Sequence, residues 1–251
     1  MLVTGGTQGL GAAVARQAAR DGAAGVAVVG RDTARGQAVA VELTGLGTRG
    51  LFVRADLSRA DDCTALVDTV LQRFGAVHGL VNAAATTARG TLDETTAEAF
   101  DEIFAVNVRA PMLVMQRVVR DMRRRGEGGS IVNVLSMSGH GGQPHVMAYS
   151  ASKGALATLT RNVAHAHRFD RIRVNGIMLG WTDTPAEDVV QREVDGQPVD
   201  WLQRAEAAAP MGRLVQPDEV AELVALLLSD RGGVMTGALI DYSQDVLGGS
   251  D

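Results

Sequence analysis

The stretch SIVNVLSMSGHGGQPHVMAYSASKGALATL, residues 130–159, converts an apolar strand into a helix and decides the fold that we expect. Residues 131–135 are apolar, rich in β-branched side chains and bounded by Gly and Ser, which predicts a short buried parallel strand. Residues 136–145 are rich in Ser and Gly and should form a loop at the carboxyl end of that strand, where open α/β sheets bind ligands. From Ala148 onward the pattern is helical.

Three side chains of this stretch, Ser136, Tyr149 and Lys153, could act together on one substrate. Tyr149 and Lys153 are four positions apart, so they share one face of the predicted helix. An ammonium ~4 Å from a phenol, at an effective dielectric of ~20, supplies about 4 kcal/mol towards ionisation before desolvation is subtracted. A Tyr proton carrier beside a Ser hydroxyl suits the interconversion of an alcohol and a carbonyl. Taken alone, the spacing is more typical of an ordinary surface helix.

Length and composition limit the classes of function. A chain of 251 residues with 46% hydrophobic residues can bury a full core as one α/β domain. The net charge of -5 argues against nucleic acid as the main partner. Cys63 is the single cysteine, which excludes a disulfide framework and fits a reducing cytoplasm. Because no apolar run is long enough for a membrane span and no signal peptide is recognised, we expect a cytoplasmic protein that does not enter a membrane.

Residues 1–11, MLVTGGTQGLG, predict a short strand and a glycine-rich turn, followed by a helix over 12–20. Glycines at Gly5, Gly9 and Gly11 allow a tight turn and let backbone N–H groups approach a pyrophosphate at the helix N-terminus. A glycine turn without a ligand is the alternative. The strand before the turn is short for a central strand, which suggests a truncated or mis-started N-terminus.

The turn has the form T-G-x-x-x-G-x-G and resembles the nucleotide-binding turn of the short-chain dehydrogenases/reductases. The resemblance extends over essentially the whole chain and implies a single doubly wound Rossmann-type domain, residues 1–251, with a mostly parallel seven-stranded sheet and helices on both faces. It also implies hydride transfer between a secondary alcohol and a ketone or aldehyde, with NAD(P)(H) as cofactor. The turn residues implied to contact the cofactor are Gly5, Thr7, Gln8, Gly9 and Leu10.

Residues at the end of the second predicted strand indicate whether the protein binds NAD(H) or NADP(H). Arg31 lies twenty positions after Gly11, where a dinucleotide fold places an acidic residue for the ribose of NAD(H) or an arginine for the 2'-phosphate of NADP(H). Arg31 therefore favours NADP(H) over NAD(H). Asp32 is the alternative, as an acceptor for the ribose hydroxyl.

Further cofactor contacts follow from the resemblance. Asp56 and Leu57, after the third strand, would contact the adenine, although Asp56 also suits the N-cap of a helix beginning near Ser58. Later contacts would come from the strand ends that carry small residues and threonines. These are Asn82, Ala83, Ala84, Gly180, Thr182 and Thr184, with Tyr149 and Lys153 also at the cofactor.

The resemblance also implies a catalytic tetrad of Asn107, Ser136, Tyr149 and Lys153. Tyr149 would exchange the proton, Lys153 would lower the pKa of Tyr149 and hold the nicotinamide ribose, and Ser136 would hold the substrate oxygen. Asn107 lies inside a helix predicted for residues 97–125 and would bind a relay water.

Fewer residues are assigned to the substrate than to the cofactor. Residues 185–210 predict a mobile substrate lid, and His145 joins Ser136 and Tyr149 as a substrate contact. The polar loops favour a small alcohol or carbonyl such as a sugar or polyol. We predict no metal site, because His165 and His167 are two positions apart and lack further ligands. The family usually forms dimers or tetramers, so we expect a homotetramer or homodimer.

Three other functions remain open from the residues. A 3-oxoacyl-[acyl-carrier-protein] reductase would use the same site and a basic docking patch, for which residues 123–125 are the candidate. A non-catalytic nucleotide sensor of the same fold would bind the cofactor without turnover. A methyltransferase-type Rossmann protein would bind S-adenosylmethionine and have no use for Tyr149 and Lys153.

Overall fold

Strands and helices alternate along residues 1–247, the part of the chain that the computed structural model describes. Its strands are β1 (Leu2–Thr4), β2 (Gly25–Gly30), β3 (Arg49–Arg54), β4 (Gly79–Asn82), β5 (Gly129–Val134), β6 (Ile172–Leu179) and β7 (Leu239–Tyr242). Its α-helices are α1 (Gly9–Arg20), α2 (Thr33–Gly45), α3 (Ala60–Phe74), α4 (Ala97–Phe104), α5 (Ala110–Arg125), α6 (Met147–His167), α7 (Pro185–Val189), α8 (Trp201–Ala208) and α9 (Pro217–Leu228).

The strands form one sheet in the order β3-β2-β1-β4-β5-β6-β7. Each neighbouring pair within the described residues is parallel, so the sheet is all-parallel where a mostly parallel one was expected. The strand order reverses between β1 and β4, and ligands bind at such a reversal, outside the carboxyl ends of the strands. The predicted doubly wound, seven-stranded fold is confirmed.

Apolar side chains leave both faces of the sheet because successive strand residues point to opposite sides. Leu2 packs into a core cluster with α3, α5 and α6, whereas its neighbour Val3 packs into a second cluster with α1, α2 and α9. Ile131 and Val132 in β5 divide between the two clusters in the same way. Helices therefore cover both faces, which explains the near-continuous apolar runs of the strands.

The helix predicted for residues 97–125 is present and contains one π turn, Ala105–Arg109, between α4 and α5. Pro111 follows that turn. Proline has no N–H to donate to the carbonyl group four residues earlier, so the regular α pattern is interrupted at this point. The interruption carries Asn107, whose side chain is fully buried.

The segment predicted as a lid, residues 185–210, holds α7, a π turn at Val190–Val194 and α8. Trp201 and Ala205 of α8 form a small cluster with Leu214, separate from the two cores of the sheet. The Trp201 ring also stacks on Trp181, with 6.1 Å between the ring centroids. The segment thus packs through its own small core, and its role as a lid stays a prediction.

Candidate active site

A cavity of about 860 Å³ lies at the carboxyl ends of the strands. Segments that follow each of the seven strands line it, as expected for the ligand edge of an open α/β sheet. Most predicted site residues lie at this cavity. They are Gly5, Thr7, Gln8, Gly9, Leu10, Arg31, Asp56, Leu57, Ala83, Ala84, Ser136, His145, Tyr149, Lys153, Gly180, Thr182 and Thr184. Asp32, Asn82 and Asn107 are not among the residues that line it.

The glycine turn at the start of α1 is shaped to let a ligand approach the backbone. Gly5 and Gly9 have positive φ values of 67° and 49°, which favour glycine. A Cβ atom on Gly5 would lie 2.7 Å from the Cα atom of Ala84 in the neighbouring loop. Gln8, the N-cap residue of α1, makes no side-chain cap hydrogen bond. The first N–H groups of α1 therefore have no side-chain cap, and they suit the pyrophosphate of a dinucleotide.

The end of β2 presents arginine side chains rather than a free carboxylate. Asp32 caps α2, where its carboxylate accepts hydrogen bonds from the Arg35 backbone N–H at 3.0 Å and from Arg35 Nε at 2.7 Å. These bonds lower the pKa of Asp32. Asp32 therefore caps α2, and its predicted contact with a ribose stays a prediction. Arg35 also donates to Gln8 Oε1 at the glycine turn, and sequence reasoning missed it.

Arg31 lines the cavity with an exposed side chain. Its charge helps to lower the pKa of Asp56, whose main causes are the hydrogen bonds from the Ser58 hydroxyl and N–H. Helix α3 begins only at Ala60, with Arg59 as its N-cap residue, so the prediction that Asp56 caps this helix is wrong. Asp56 instead closes a local turn with Ser58 at the cavity wall.

Asn82, at the end of β4, points into the sheet rather than into the cavity. Its side-chain amide donates to Asn133 Oδ1 at 2.8 Å, and Asn133 donates to Thr160 Oγ1 at 2.9 Å. Both asparagines are buried. Asn82 therefore links two strands below the cavity, and the next two residues, Ala83 and Ala84, form the cavity wall.

Ser136, Tyr149 and Lys153 come together at one end of the cavity, as predicted from their spacing. Ser136 follows β5, while Tyr149 and Lys153 lie in the first two turns of α6. Ser136 lies near enough to Tyr149 to lower the pKa of its hydroxyl group. Lys153 is buried, its Nζ donates to the Val134 carbonyl oxygen at 2.8 Å, and Nζ lies 5.6 Å from the centroid of the Tyr149 ring. This arrangement can pass a proton to or from an oxygen atom held beside Ser136.

Burial is the largest influence on the pKa values of Tyr149 and Lys153. It raises the pKa of Tyr149 above its ordinary value, and it lowers the pKa of Lys153 to about 8. The groups that lower the pKa of Tyr149 are the Ser136 side chain and the charge of Arg89. The Lys153 ammonium is bonded to the neutral Val134 carbonyl group and keeps its charge near the Tyr149 ring, so its predicted effect on the pKa of Tyr149 stays a prediction.

Asn107, on the π turn, joins the loop after β4 to helix α6. Its Oδ1 accepts from the Thr86 N–H at 2.9 Å, and its Nδ2 donates to the Thr86 carbonyl oxygen and to Ser152 Oγ, both at 3.0 Å. These bonds hold Thr86, a residue of the cavity wall, against the helix that carries Tyr149. Asn107 is thus placed to position the site, and the predicted proton relay stays a prediction.

The substrate end of the cavity contains an ion pair that sequence reasoning missed. Arg89, in the loop after β4, donates from Nε and Nη2 to the Asp195 carboxylate at 3.0 and 2.6 Å. Asp195 follows the π turn of the lid segment, 106 positions away along the chain. The location of Arg89 just after a strand end was the available signal, because such loops form the ligand edge. His145 also lies here, and its carbonyl oxygen accepts from the Gly90 N–H at 2.9 Å.

Neither a metal cluster nor a membrane helix is found in residues 1–247. No three His, Cys, Asp or Glu side chains in this range are grouped so that they could hold a metal ion. None of the helices there combines the length and the apolar composition that a membrane crossing requires. His167, near the end of α6, instead lies 2.8 Å from the Asp170 carboxylate through its Nδ1.

Comparison with known proteins bears on the chemistry of this site. A family model described as Enoyl-(Acyl carrier protein) reductase matches residues 5–243. Cis-4-hydroxycyclohexanecarboxylate dehydrogenase from Sinomonas cyclohexanicum is 37% identical over 95% of this chain and 92% of that protein. The NADP-dependent (R)-specific alcohol dehydrogenase of Lentilactobacillus kefiri is 32% identical over 94% of this chain and 92% of that protein. The solved structure of L-sorbose reductase from Gluconobacter frateurii, complexed with NADPH and L-sorbose, matches with a TM-score of 0.92 and 28% identity, over 99% of this chain and 96% of that one.

Proposed function

Because the chain belongs to the short-chain dehydrogenase/reductase family, we propose that Ser136, Tyr149 and Lys153 carry out its reaction. The protein is an NAD(P)(H)-dependent oxidoreductase that interconverts a secondary alcohol and a carbonyl compound. The observation that carries the assignment is that Ser136, Tyr149 and the buried Lys153 line the same cavity, with the Lys153 Nζ 5.6 Å from the centroid of the Tyr149 ring. A nicotinamide dinucleotide fits beside them, because the glycine turn lets a ligand reach the uncapped start of α1.

The bound nicotinamide supplies the hydride chemistry, and the residues of this chain supply binding and the proton. The Ser136 hydroxyl donates to the substrate oxygen and holds it beside Tyr149. The Tyr149 hydroxyl gives its proton to that oxygen in carbonyl reduction and takes it back in alcohol oxidation. Lys153, charged at neutral pH, holds a cofactor hydroxyl at the floor of the site. Asn107 fixes the position of Thr86 relative to α6 through its hydrogen bonds to both.

For the cofactor we propose NADP(H) over NAD(H). Arg31 has an exposed guanidinium at the cavity that donates no hydrogen bond to any residue in 1–247, and Arg35 lies against Gln8 of the glycine turn. Both oxygens of Asp32 accept hydrogen bonds from Arg35. Guanidinium groups are suited to a phosphate, whereas a free carboxylate at this place would suit an unmodified ribose.

A titration with NADPH and with NADH, followed by cofactor fluorescence, together with turnover of small secondary alcohols, tests this function. We expect NADPH to bind at least about tenfold more tightly than NADH, since a charge-assisted contact to the 2'-phosphate is worth about 1.5 to 3 kcal/mol. Tighter binding of NADH would contradict the cofactor assignment. Binding without turnover across the alcohol and ketone series would contradict the roles of Ser136 and Tyr149 and favour a nucleotide sensor.

The variant Arg31→Asp is expected to weaken NADPH binding about 10- to 100-fold while NADH affinity changes by less than about threefold. The reason is that the guanidinium contacts only the 2'-phosphate, which NADH lacks. The same titration measures it, with Arg120→Asp on the exposed side of α5 as the matched control. An equal loss of affinity for NADPH and NADH would show that Arg31 does not contact the 2'-phosphate.

The carrier-protein reductase is the weaker alternative, because its candidate docking patch is already paired. Arg124 and Arg125 form ion pairs with Asp121, and Arg123 pairs with Asp170. An anionic carrier would have to displace these carboxylates. We therefore propose a small-molecule substrate.

We further propose that the protein works in the cytoplasm as a homotetramer or homodimer, with residues 185–210 as its substrate lid. The single cysteine supports a reducing compartment, because a chain with only Cys63 has no internal disulfide that would need an oxidising one. The separate small core around Trp201 supports a segment that can move against the sheet.

A further inference from the structure

The substrate end of the cavity has one carboxylate with a free oxygen. Glu187, in α7, lines the cavity and is half-buried. Its Oε1 accepts hydrogen bonds from Trp181 Nε1 and Gln191 Nε2, each at 2.8 Å. Within residues 1–247, no group donates to its Oε2. Two donors thus fix the carboxylate in place and leave one oxygen available to a ligand.

The neighbouring charges do not neutralise Glu187. Gln191 also donates to Asp195 at 3.2 Å, so the two carboxylates belong to one hydrogen-bonded chain. The charge of Asp195 is neutralised by Arg89, which donates two hydrogen bonds to its carboxylate. Within residues 1–247, no cationic side chain forms an ion pair with Glu187, whereas Asp195 is paired with Arg89.

This charge acts in the same chamber as the reacting oxygen. The negative charge of Glu187 raises the pKa of Tyr149, and the positive charge of Arg89 lowers it, which places both side chains within electrostatic reach of the phenol. A substrate that presents its oxygen to Tyr149 shares the cavity with Glu187 and Lys153. Glu187 repels an anionic group next to the reacting carbon, and the Lys153 ammonium, which is bonded to a neutral carbonyl group, repels a cationic one. The chamber selects an uncharged substrate.

We propose that Glu187 accepts a hydrogen bond from a second hydroxyl group of the substrate, so that uncharged vicinal diols and α-hydroxyketones are preferred. The inference rests on the proposed function of Ser136 and Tyr149. Glu187 is then a specificity-determining residue. Its fixed carboxylate accepts a hydrogen bond from the hydroxyl group on the carbon next to the reacting carbon.

Three compounds with the same ring test this inference: cyclohexanol, cis-cyclohexane-1,2-diol and cis-2-hydroxycyclohexanecarboxylate. Binding of each to the enzyme–NADP complex and kcat/KM for oxidation are measured. We expect kcat/KM to be about 10- to 100-fold higher for the diol than for cyclohexanol, as for a hydrogen bond to a charged acceptor, and lower for the carboxylate than for cyclohexanol. In Glu187→Gln the preference for the diol over cyclohexanol should fall to less than about threefold, because the charged acceptor is lost.

A matched control is Glu193→Gln, which removes an exposed carboxylate of the same segment that does not line the cavity. It should keep the diol preference of the unmodified enzyme within about twofold. Cofactor titration of both variants reports that they are folded.

The inference is overturned if the unmodified enzyme does not bind the diol, if it handles diol and cyclohexanol equally, or if the preference survives in Glu187→Gln. It is also overturned if the carboxylate is the best of the three substrates, which would make Arg89 the recognition group. Diol binding that depends on Glu187 but leads to no turnover would support the inference and contradict the proposed function.

Discussion

Tyr149→Phe is expected to lower kcat at least about 1,000-fold while NADPH affinity changes by less than about threefold. The phenol oxygen is the group placed to exchange a proton with the substrate, and a positioned acid or base contributes about 10² to 10⁴ in rate. Phe keeps the ring that lies 5.6 Å from the Lys153 ammonium, so the packing of that ring is preserved. The loss should therefore fall on turnover and not on cofactor binding.

The chain offers a close control, since Tyr242 is its other tyrosine. Tyr242 lies in β7 and is not among the residues that line the cavity. Single-turnover and steady-state rates of Tyr242→Phe should stay within about twofold of the unmodified enzyme, because Phe keeps the ring that packs against the core and Tyr242 does not line the cavity. Retained turnover in Tyr149→Phe would show that another group carries the proton.

Local patterns predicted individual strands and helices, whereas the architecture was predicted from the family resemblance. Residues 131–135 have the composition of a buried parallel strand, and β5 lies at Gly129–Val134. Tyr149 and Lys153 meet because four positions equal about one helical turn. Such arguments work because strand burial and helix periodicity depend on residues that are near each other in the sequence.

The remaining features depend on long-range contacts or on competition between local roles. The pair of Arg89 and Asp195 joins residues 106 positions apart, and neither residue carries a signal of the other. Asp32 caps α2 and is bonded to the Arg35 side chain, a contact that the sequence did not indicate. The pKa of Tyr149 is affected by Glu187 and Arg89, which are distant from it in the sequence.

Gly11→Ala is expected to weaken NADPH binding at least about 100-fold and to lower the free energy of unfolding by about 1 to 3 kcal/mol, as for an overpacked site. A Cβ atom at this position would lie 2.2 Å from the carbonyl oxygen of Gly5 and 2.7 Å from its carbon, both of them backbone atoms. The turn must then move away from α1. Because the N–H groups of that turn are the proposed pyrophosphate contacts, a small displacement removes several hydrogen bonds at once.

Gly45→Ala separates this effect from the general cost of replacing a glycine. Gly45 ends α2, and a Cβ atom there would meet nothing within 4 Å. Alanine at that place should leave cofactor binding unchanged and raise the free energy of unfolding by about 0.4 to 1 kcal/mol, because alanine has less backbone freedom in the unfolded chain. Thermal unfolding and the NADPH titration measure both variants. If Gly11→Ala bound NADPH as tightly as Gly45→Ala, the close packing of Gly11 on Gly5 would have no part in holding the cofactor.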